Sequence, residues 1–194
     1  IEEVIDTFSK FGSKFIGHPN NKLPGIEMNS GSLGHGLPVC VGMALAGKMN
    51  HQNYRVYTVM GDGELAEGSV WEGAMSAAHY KLDNLCAVVD RNRLQISGNT
   101  EDVMHHDDLH ERFRSFGWHV IDVKNGNSIE ELDAAFEEAK TVKGKPTVLI
   151  ANTVKGCGSS VMENKASWHH HVPGDEEYEQ IMKDLEERKE AALK

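Results

Sequence analysis

The amino-acid sequence predicts an α/β protein with a mostly parallel central sheet and helices on both of its faces. Short apolar runs alternate with helical patterns along most of the chain. Some of these runs are continuously apolar, as expected of strands that are buried on both faces. Ten of the 19 glycines precede residue 64, in clusters at the ends of predicted elements. Strands that alternate with helices in this way are typical of a parallel sheet.

The individual elements follow from the same patterns. Strands are predicted at 54–60, 85–90, 118–123 and 146–151, and helices at 33–49, 70–81, 109–116 and 128–142. Ser69 is a suitable N-cap for the second of these helices, and Ser128 with Glu131 forms a capping-box pattern at the fourth. Pro38 fits the first helix if it lies in the first turn, where its missing N–H is harmless.

The last 20 residues have a different character. Residues 175–194 contain eight acidic and four basic residues, a net charge of −4, with Tyr178, Ile181, Met182 and Leu185 at helical spacing. This pattern predicts an amphipathic surface helix, and a docking element is the alternative. We therefore expect one main domain over residues 1–174, followed by an acidic tail helix over 175–194.

Composition and charge exclude several classes of protein. The chain has 194 residues, 39% of them hydrophobic and 26% charged, as is usual for one globular domain. With 20 basic against 30 acidic residues, its net charge of −10 argues against nucleic-acid binding. No apolar run approaches the roughly 20 residues of a membrane helix. Three cysteines without CxxC spacing indicate reduced thiols and a cytoplasmic location.

Polar residues follow two of the predicted strands. One strand runs into Gly61-Asp62-Gly63, and 28 residues separate Gly63 from Asn92, which follows the next strand. Because neighbouring parallel strands end at the same edge of a sheet, we expect Asp62 and Asn92 to lie close together. Carboxylate and amide oxygens suit Mg²⁺, which often completes its shell with phosphates. The spacing predicts a magnesium–diphosphate site, with an ordinary strand-end turn as the alternative.

The paired motif and its surroundings resemble transketolase. The matching segments are 17–19, 23–27, 31–34, 61–68, 71–72, 79–85, 90–98 and 118–121. The ending, with segments 155–156, 162–163 and 168–169, is similar to the amino-terminal subunit of split transketolases in particular. The resemblance extends over nearly the whole chain and implies a thiamine-diphosphate-binding fold.

The resemblance also implies how the cofactor would be held. Asp62 and the Asn92 side chain would bind Mg²⁺, or Ca²⁺ as an alternative ion, with the Leu94 carbonyl as a third protein ligand. Gly61 and Gly63 would let the backbone approach the diphosphate. Thiamine diphosphate itself would supply the chemistry of the reaction.

Further matching positions concern the organic part of the cofactor and the substrate. Gly31 and Leu33 would contact the aminopyrimidine through their backbone, and Ile96 would pack near the cofactor rings. His18 would contact the hydroxyls of the donor ketose, and His169 its carbonyl, although the register of His169 within three consecutive histidines is open. Imidazole suits both roles because it can donate and accept near neutral pH.

Other residues are assigned with the same resemblance or set aside. Glu67 would take part in catalysis, and Glu67 and Glu72 would lie at the dimer interface, with an ordinary surface pair as the alternative. Two positions depart from many relatives, namely His35 and Cys157. Three histidines are interpreted as surface residues rather than a metal set, namely His105, His106 and His110.

The resemblance finally implies partners. In relatives an additional segment precedes the position of Ile1, and a pyrimidine-binding domain is needed. In split transketolases a carboxy-terminal subunit supplies that domain, so we expect a dimer of heterodimers that acts on sugar phosphates in the pentose phosphate pathway. The isolated chain is then expected to be inactive. The alternatives are another thiamine-diphosphate enzyme, such as one similar to deoxyxylulose-phosphate synthase, and a truncated, non-catalytic interaction subunit.

Overall fold

The protein, seen in a computed structural model, is described over residues 1–106 and 108–193. Its helices are α1 (Glu2–Thr7), α2 (Gly36–Met49), α3 (Gly68–His79), α4 (Thr100–Val103), α5 (Leu109–Ser115), α6 (Ile129–Thr141) and α7 (Asp175–Ala192). Its strands are β1 (Val56–Gly61), β2 (Leu85–Arg91), β3 (Leu94–Gln95), β4 (Gly98–Asn99), β5 (His119–Val123) and β6 (Thr147–Asn152). Two 3₁₀ turns lie at Gly63–Ala66 and Ala166–His169.

Four of the strands form a parallel sheet in the order β1-β2-β6-β5. The register pairs Gly61 with Asp90 and Arg91 with Asn152. The carboxyl ends of β1, β2 and β6 therefore lie side by side at one edge of the sheet. β3 and β4 form a separate antiparallel hairpin directly after β2. The sheet confirms the predicted α/β class.

Helices cover both faces of the sheet, as predicted. A larger apolar core joins one sheet face to α2, α3 and α5, through residues such as Leu37, Ala74 and Phe113 that are completely buried. A smaller core joins the other face to α6. The buried Trp118 ties the larger layer together, because its indole N–H donates to the carbonyl of Ala74 (2.9 Å). No helix in the described ranges is both long and apolar enough to cross a membrane.

β1 is an edge strand with one apolar side open to solvent. Its side chains alternate between buried and exposed, and Val59 is 72% exposed while Tyr57 is 46% exposed. A groove of about 850 Å³ runs along this edge, bounded by residues 27–36, α2 and β1. Exposed apolar edges of this kind favour pairing with a further segment of protein.

The helix starts differ in detail from the sequence-based predictions. Ser69 is not the N-cap of α3, because Glu67 holds that position and the Ser69 hydroxyl donates instead to the carbonyl of Gly34 (2.8 Å). Ser128 does cap α6 by accepting from the N–H of Glu131. The Glu131 carboxylate, however, accepts from the N–H of Asn125 (2.9 Å), so the capping box is half formed. Pro38 lies in the first turn of α2 as predicted.

The predicted tail helix is present as α7, although Lys194 lies outside the described residues. The helix has no buried residue among those described. It docks on the preceding loop through polar contacts, since Asp184 accepts from the N–H (2.6 Å) and hydroxyl (2.7 Å) of Ser160. Arg188 donates to the Cys157 sulfur (3.3 Å). The apolar stripe stays about half exposed, with Tyr178 at 56%.

Candidate functional site

The strand-end turn after β1 places a buried carboxylate at the carboxyl edge of the sheet. Asp62 is 2% exposed, and its backbone N–H donates to the carbonyl of Asp90 on β2 (3.2 Å). Its Oδ1 accepts from the N–H of Gly63 (2.9 Å), and its Oδ2 accepts from the N–H of Arg93 (2.6 Å). The carboxylate is thus fixed between the ends of two adjacent strands, as the motif spacing predicted.

The residues after β2 complete this edge. The Oδ1 of Asn92 accepts from the N–H of Leu94 (3.0 Å), and its amide donates to Asp90 (3.2 Å). Asp90 also accepts from the hydroxyl of Thr153, which follows β6. Arg93 has a left-handed φ of 65°, an uncommon conformation for a residue with a side chain. This backbone turn directs the Arg93 N–H toward Asp62 and places the Asn92 side chain beside the same edge.

Burial dominates the electrostatics of the turn. Desolvation raises the pKa of Asp62 above its usual value, while the hydrogen bonds from Arg93 and Gly63 act in the opposite direction. The nearby charge of Asp90 raises it further. A bound cation would offset this cost, because an opposite charge favours the ionised carboxylate.

The donor atoms present suit a hard cation that shares its shell with a ligand. Among the described residues, each oxygen of Asp62 and the Oδ1 of Asn92 accepts from one backbone N–H and keeps a second lone pair available. Within residues 1–106 and 108–193, no cluster of three or more histidine, cysteine or acidic side chains could hold a metal by itself. A cation here would therefore depend on amide, backbone and ligand oxygens, the pattern typical of Mg²⁺.

The two glycines of the turn have different surroundings. A Cβ on Gly61 would meet no atom within 4 Å, so open space lies above the end of β1. A Cβ on Gly63 would lie 3.0 Å from the Cβ of Gln95, so Gly63 permits close packing against β3. The buried Oε1 of Gln95 lacks a hydrogen-bond partner within the described chain. Gly61 is thus the position of the pair that leaves room for a ligand.

The loop before α2 lies against both this turn and His18. A Cβ on Gly31, which has a φ of 110°, would lie 2.1 Å from the His18 ring. The N–H of Gly34 donates to Glu64 (2.8 Å), so the loop is joined to the 3₁₀ turn after Asp62. Leu33 is 56% exposed. The structure therefore brings His18 against Gly31, and Leu33 is exposed two residues further along the same loop.

His169 is the last residue of the 3₁₀ turn Ala166–His169, and this turn lies next to β3. Partial burial and the charge of Lys155 lower its pKa, which favours a neutral imidazole. Its ring contacts that of His170 (4.8 Å), whereas His171 bonds Glu177 (2.8 Å) at the start of α7. His171 is therefore engaged by the first turn of α7. Ile96 is 61% exposed at the tip of the β3–β4 hairpin.

The two glutamates assigned to an interface are exposed in the single chain. Glu67 lies beside the loop before α2, since a Cβ on Gly34 would be 2.7 Å from the Glu67 Cβ. Glu72 lies on α3, where its carbonyl accepts from the hydroxyl of Ser76 (3.0 Å). The carboxylate that bonds the loop is that of Glu64, a residue that no sequence pattern singled out.

One histidine was wrongly interpreted as a surface residue. His106 is 1% exposed, and its ring lies near enough to Asp62 to bond the backbone of that residue. Burial lowers the pKa of His106, and its Nε2 lacks a hydrogen-bond partner in the described part of the chain. The polar residues on either side have no periodicity that could have indicated burial. His105 is exposed and His110 is partly exposed, in agreement with the prediction.

Comparison with known proteins gives one consistent result. Residues 1–191 match the family described as transketolase, thiamine diphosphate binding domain. The chain is 50% identical over 186 residues to one subunit of the apulose-4-phosphate transketolase of Phocaeicola vulgatus, covering 96% of this chain. It is 39% identical over 185 residues to a 6-deoxy-6-sulfo-D-fructose transketolase subunit from a Clostridium species, covering 95% of this chain.

A solved structure agrees with the sequence relatives. The crystal structure of transketolase from Campylobacter jejuni matches 94% of this chain with a TM-score of 0.89 and 30% identity. The chain spans 66% and 67% of the length of the two subunit relatives and 30% of the Campylobacter chain. The similarity therefore concerns one part of those longer proteins.

Proposed function

This chain belongs to the transketolase thiamine diphosphate binding family, and from that premise we propose that it is the diphosphate-binding subunit of a split, Mg²⁺-dependent transketolase. Together with a pyrimidine-binding partner subunit, it transfers a two-carbon ketol unit from a ketose phosphate to an aldose phosphate. Two relatives that are named as transketolase subunits support the split arrangement. Those two relatives are named for different sugars, so the donor and acceptor are proposed here as a class.

The buried Asp62 at the end of β1 is the observation that carries the proposal. Under this proposal, Asp62, the Asn92 amide oxygen and the Leu94 carbonyl hold Mg²⁺. The open backbone at Gly61 receives the diphosphate, while the backbone of Gly63 lies alongside. When bound, thiamine diphosphate supplies the carbon nucleophile and electron sink for ketol transfer.

The remaining residues act on the rest of the cofactor and on the sugar. Gly31 and Leu33 hold the aminopyrimidine through backbone groups, and Ile96 packs against the cofactor from the hairpin tip. His18 hydrogen-bonds the hydroxyls of the donor sugar, and its contact with Gly31 holds it against the loop before α2. His169 faces the donor carbonyl as a neutral imidazole, in line with its lowered pKa.

The two exposed glutamates are assigned to contacts between subunits. We place Glu67 and Glu72 at an interface between two diphosphate-binding subunits, within a dimer of heterodimers. The partner subunit completes the active site, so the chain alone is inactive. Three free cysteines, Cys40, Cys86 and Cys157, fit a cytoplasmic location. We assign the enzyme to carbohydrate metabolism, in a route such as the pentose phosphate pathway.

The metal assignment is tested by Asp62→Ala. Thiamine diphosphate affinity is measured calorimetrically in the reconstituted pair, with and without Mg²⁺. The wild-type pair is expected to bind thiamine diphosphate tightly only when Mg²⁺ is present. The variant is expected to lose this Mg²⁺-dependent increase in affinity. Asp133→Ala, on the exposed side of α6, is the matched control and should bind like wild type. Mg²⁺-dependent binding that survives in Asp62→Ala would refute the assignment.

The partner is tested separately by a ketol-transfer assay. The chain, a candidate carboxy-terminal subunit and their mixture are each supplied with cofactor, Mg²⁺, a ketose phosphate and an aldose phosphate. Activity is expected from the mixture and not from either chain alone. Ketol transfer by this chain alone would contradict the split arrangement, while leaving the metal assignment to the binding experiment.

A further inference from the structure

A second cavity lies at the carboxyl edge of the sheet, on the side of β2 away from β1. It has a volume of about 540 Å³ and is lined by residues from the ends of β2, β5 and β6. Its lining includes Arg91, Arg93, His110, Asp122, Lys124 and Asn152. Ligands of open α/β sheets bind beyond the carboxyl ends of the strands, so this position is suited to a site.

The charge of the cavity lining is opposite to that of the whole chain. Arg91, Arg93 and Lys124 contribute three positive charges and Asp122 one negative charge, a difference of +2 within a chain of net charge −10. Glu101 lies 3.8 Å from Arg91 but does not line the cavity. A dianion would balance the lining, and arginine side chains match the geometry of phosphate oxygens.

A hydrogen-bonded wall holds these groups in place. The Asn152 amide donates to Asp122 (2.9 Å) and accepts from Arg93 (3.0 Å), so it links the two charged side chains. Asp122 also bonds His110 (3.0 Å) and accepts from Lys124. The guanidinium of Arg93 donates one of its five N–H groups to Asn152, and within residues 1–106 and 108–193 its other donors remain available to a ligand.

The carboxylate in the wall is occupied by its neighbours. Burial by itself would raise the pKa of Asp122, but hydrogen bonds from Lys124, His110 and Asn152 outweigh it and hold the pKa below its usual value. Asp122 is thus ionised at neutral pH and neutralised locally by the donors around it. Its repulsion of an incoming anion is correspondingly reduced.

We propose that this cavity is a second anion site, which binds a small phosphate-bearing molecule separately from the Asp62 turn. The two sites meet at Arg93, whose backbone N–H bonds Asp62 while its side chain lines the cavity. The proposal goes beyond the proposed function, because it requires neither thiamine diphosphate nor the partner subunit.

Binding is tested with inorganic phosphate and, in a parallel titration, with glycerol 3-phosphate. Each is titrated into the ¹⁵N-labelled full chain, and backbone amide shifts are followed. The largest shifts are expected at Lys124, Asn152 and Thr153, with those at Gly61 and Gly63 small. Tighter binding of glycerol 3-phosphate would indicate a phosphorylated metabolite, and equal binding would indicate free phosphate.

Variants locate the site by calorimetry. Arg91→Met and Lys124→Met are each expected to weaken phosphate binding about tenfold, the usual effect of removing a charge-assisted hydrogen bond. Lys145→Met is the control, because this exposed lysine precedes β6 at the opposite end of the sheet. Asp62→Asn should leave phosphate affinity unchanged, whatever it does to cofactor binding.

Two results would overturn the proposal. One is an absence of saturable amide shifts around the cavity in the wild-type chain, a measurement that does not depend on any variant folding. The other is phosphate binding that is lost in Asp62→Asn and unchanged in Arg91→Met and Lys124→Met. That second result would place the anion at the strand-end turn.

Discussion

Gly34→Ala is expected to destabilise the protein by pushing the loop before α2 away from the start of α3. Gly34 has a φ of 81°, in the left-handed region that disfavours a side chain. A Cβ there would lie 2.5 Å from the Ser69 hydroxyl and 2.7 Å from the Glu67 Cβ, distances at which something must move. The displaced groups include Ser69, which donates to the Gly34 carbonyl (2.8 Å).

The magnitude follows from these two effects. Placing alanine in a left-handed conformation costs about 1–2 kcal/mol. Losing the hydrogen bond between Ser69 and Gly34 costs about 1 kcal/mol more. We therefore expect the free energy of unfolding to fall by about 2–3 kcal/mol. Urea denaturation of the full chain, followed by far-ultraviolet circular dichroism, measures this difference.

Gly61→Ala is the matched control for stability. A Cβ on Gly61 meets nothing within 4 Å, and its φ is not left-handed. Its free energy of unfolding should stay within about 0.5 kcal/mol of wild type. Its Cβ would instead fill the open space above the end of β1, so thiamine diphosphate binding in the reconstituted pair should weaken. Equal stabilities for Gly34→Ala and Gly61→Ala would refute the packing argument.

Three further predictions address the donor site, the core and the pH dependence of stability. His18→Ala should lower donor turnover in the reconstituted pair while nearly preserving thiamine diphosphate affinity, because the ring is assigned to sugar hydroxyls. Steady-state kinetics measure the turnover, and calorimetry measures the cofactor affinity. Phe113→Ala should lower the free energy of unfolding by about 3–5 kcal/mol in urea denaturation, since the ring is completely buried against Trp118. Burial opposes ionisation of Asp83, but hydrogen bonds from Gly144 and Lys48 outweigh it and lower its pKa. The stabilisation that ionised Asp83 provides over Asp83→Asn should be fully present at pH values above 3.8, the usual pKa of this group, and should decline as the pH falls below that value. Urea midpoints of the two proteins at pH 7 and pH 3.5 would show this decline.

Each of these predictions has an outcome that contradicts it. Loss of cofactor binding in His18→Ala would move that residue from the sugar to the cofactor. If Phe113→Ala were no more harmful than Met75→Ala, at an exposed position of α3, the core assignment would fail. A stability difference for Asp83→Asn that grows on acidification would reverse the sign argued from its hydrogen bonds.

The main elements of the fold were predictable because each has a strong local pattern. The four long strands and the helices α2, α3, α5, α6 and α7 lie within a few residues of their predicted positions. The β3–β4 hairpin and the 3₁₀ turns were missed, since two-residue strands and single turns carry too little periodicity. Ser69 was misassigned because a serine near a helix start resembles an N-cap until the approach of Gly34 is known.

The candidate site was predictable where the chain itself fixes it. Gly61-Asp62-Gly63 and Asn92 follow strands that pair directly, so their spacing alone placed them at one edge. His106 could not be found in this way. It reaches Asp62 from a distant part of the chain, and its neighbour His105 is exposed.

The sequence by itself determined the α/β class and the placing of Asp62 and Asn92 at neighbouring strand ends, because periodicity and motif spacing act over short distances along the chain. Tertiary structure alone decided the order β1-β2-β6-β5, the exposed edge at Val59 and the burial of His106. It also brought Arg91, Lys124 and Asn152 around one cavity. Such groupings depend on which strands become neighbours, and that is set by the packing of the whole chain rather than by any local pattern.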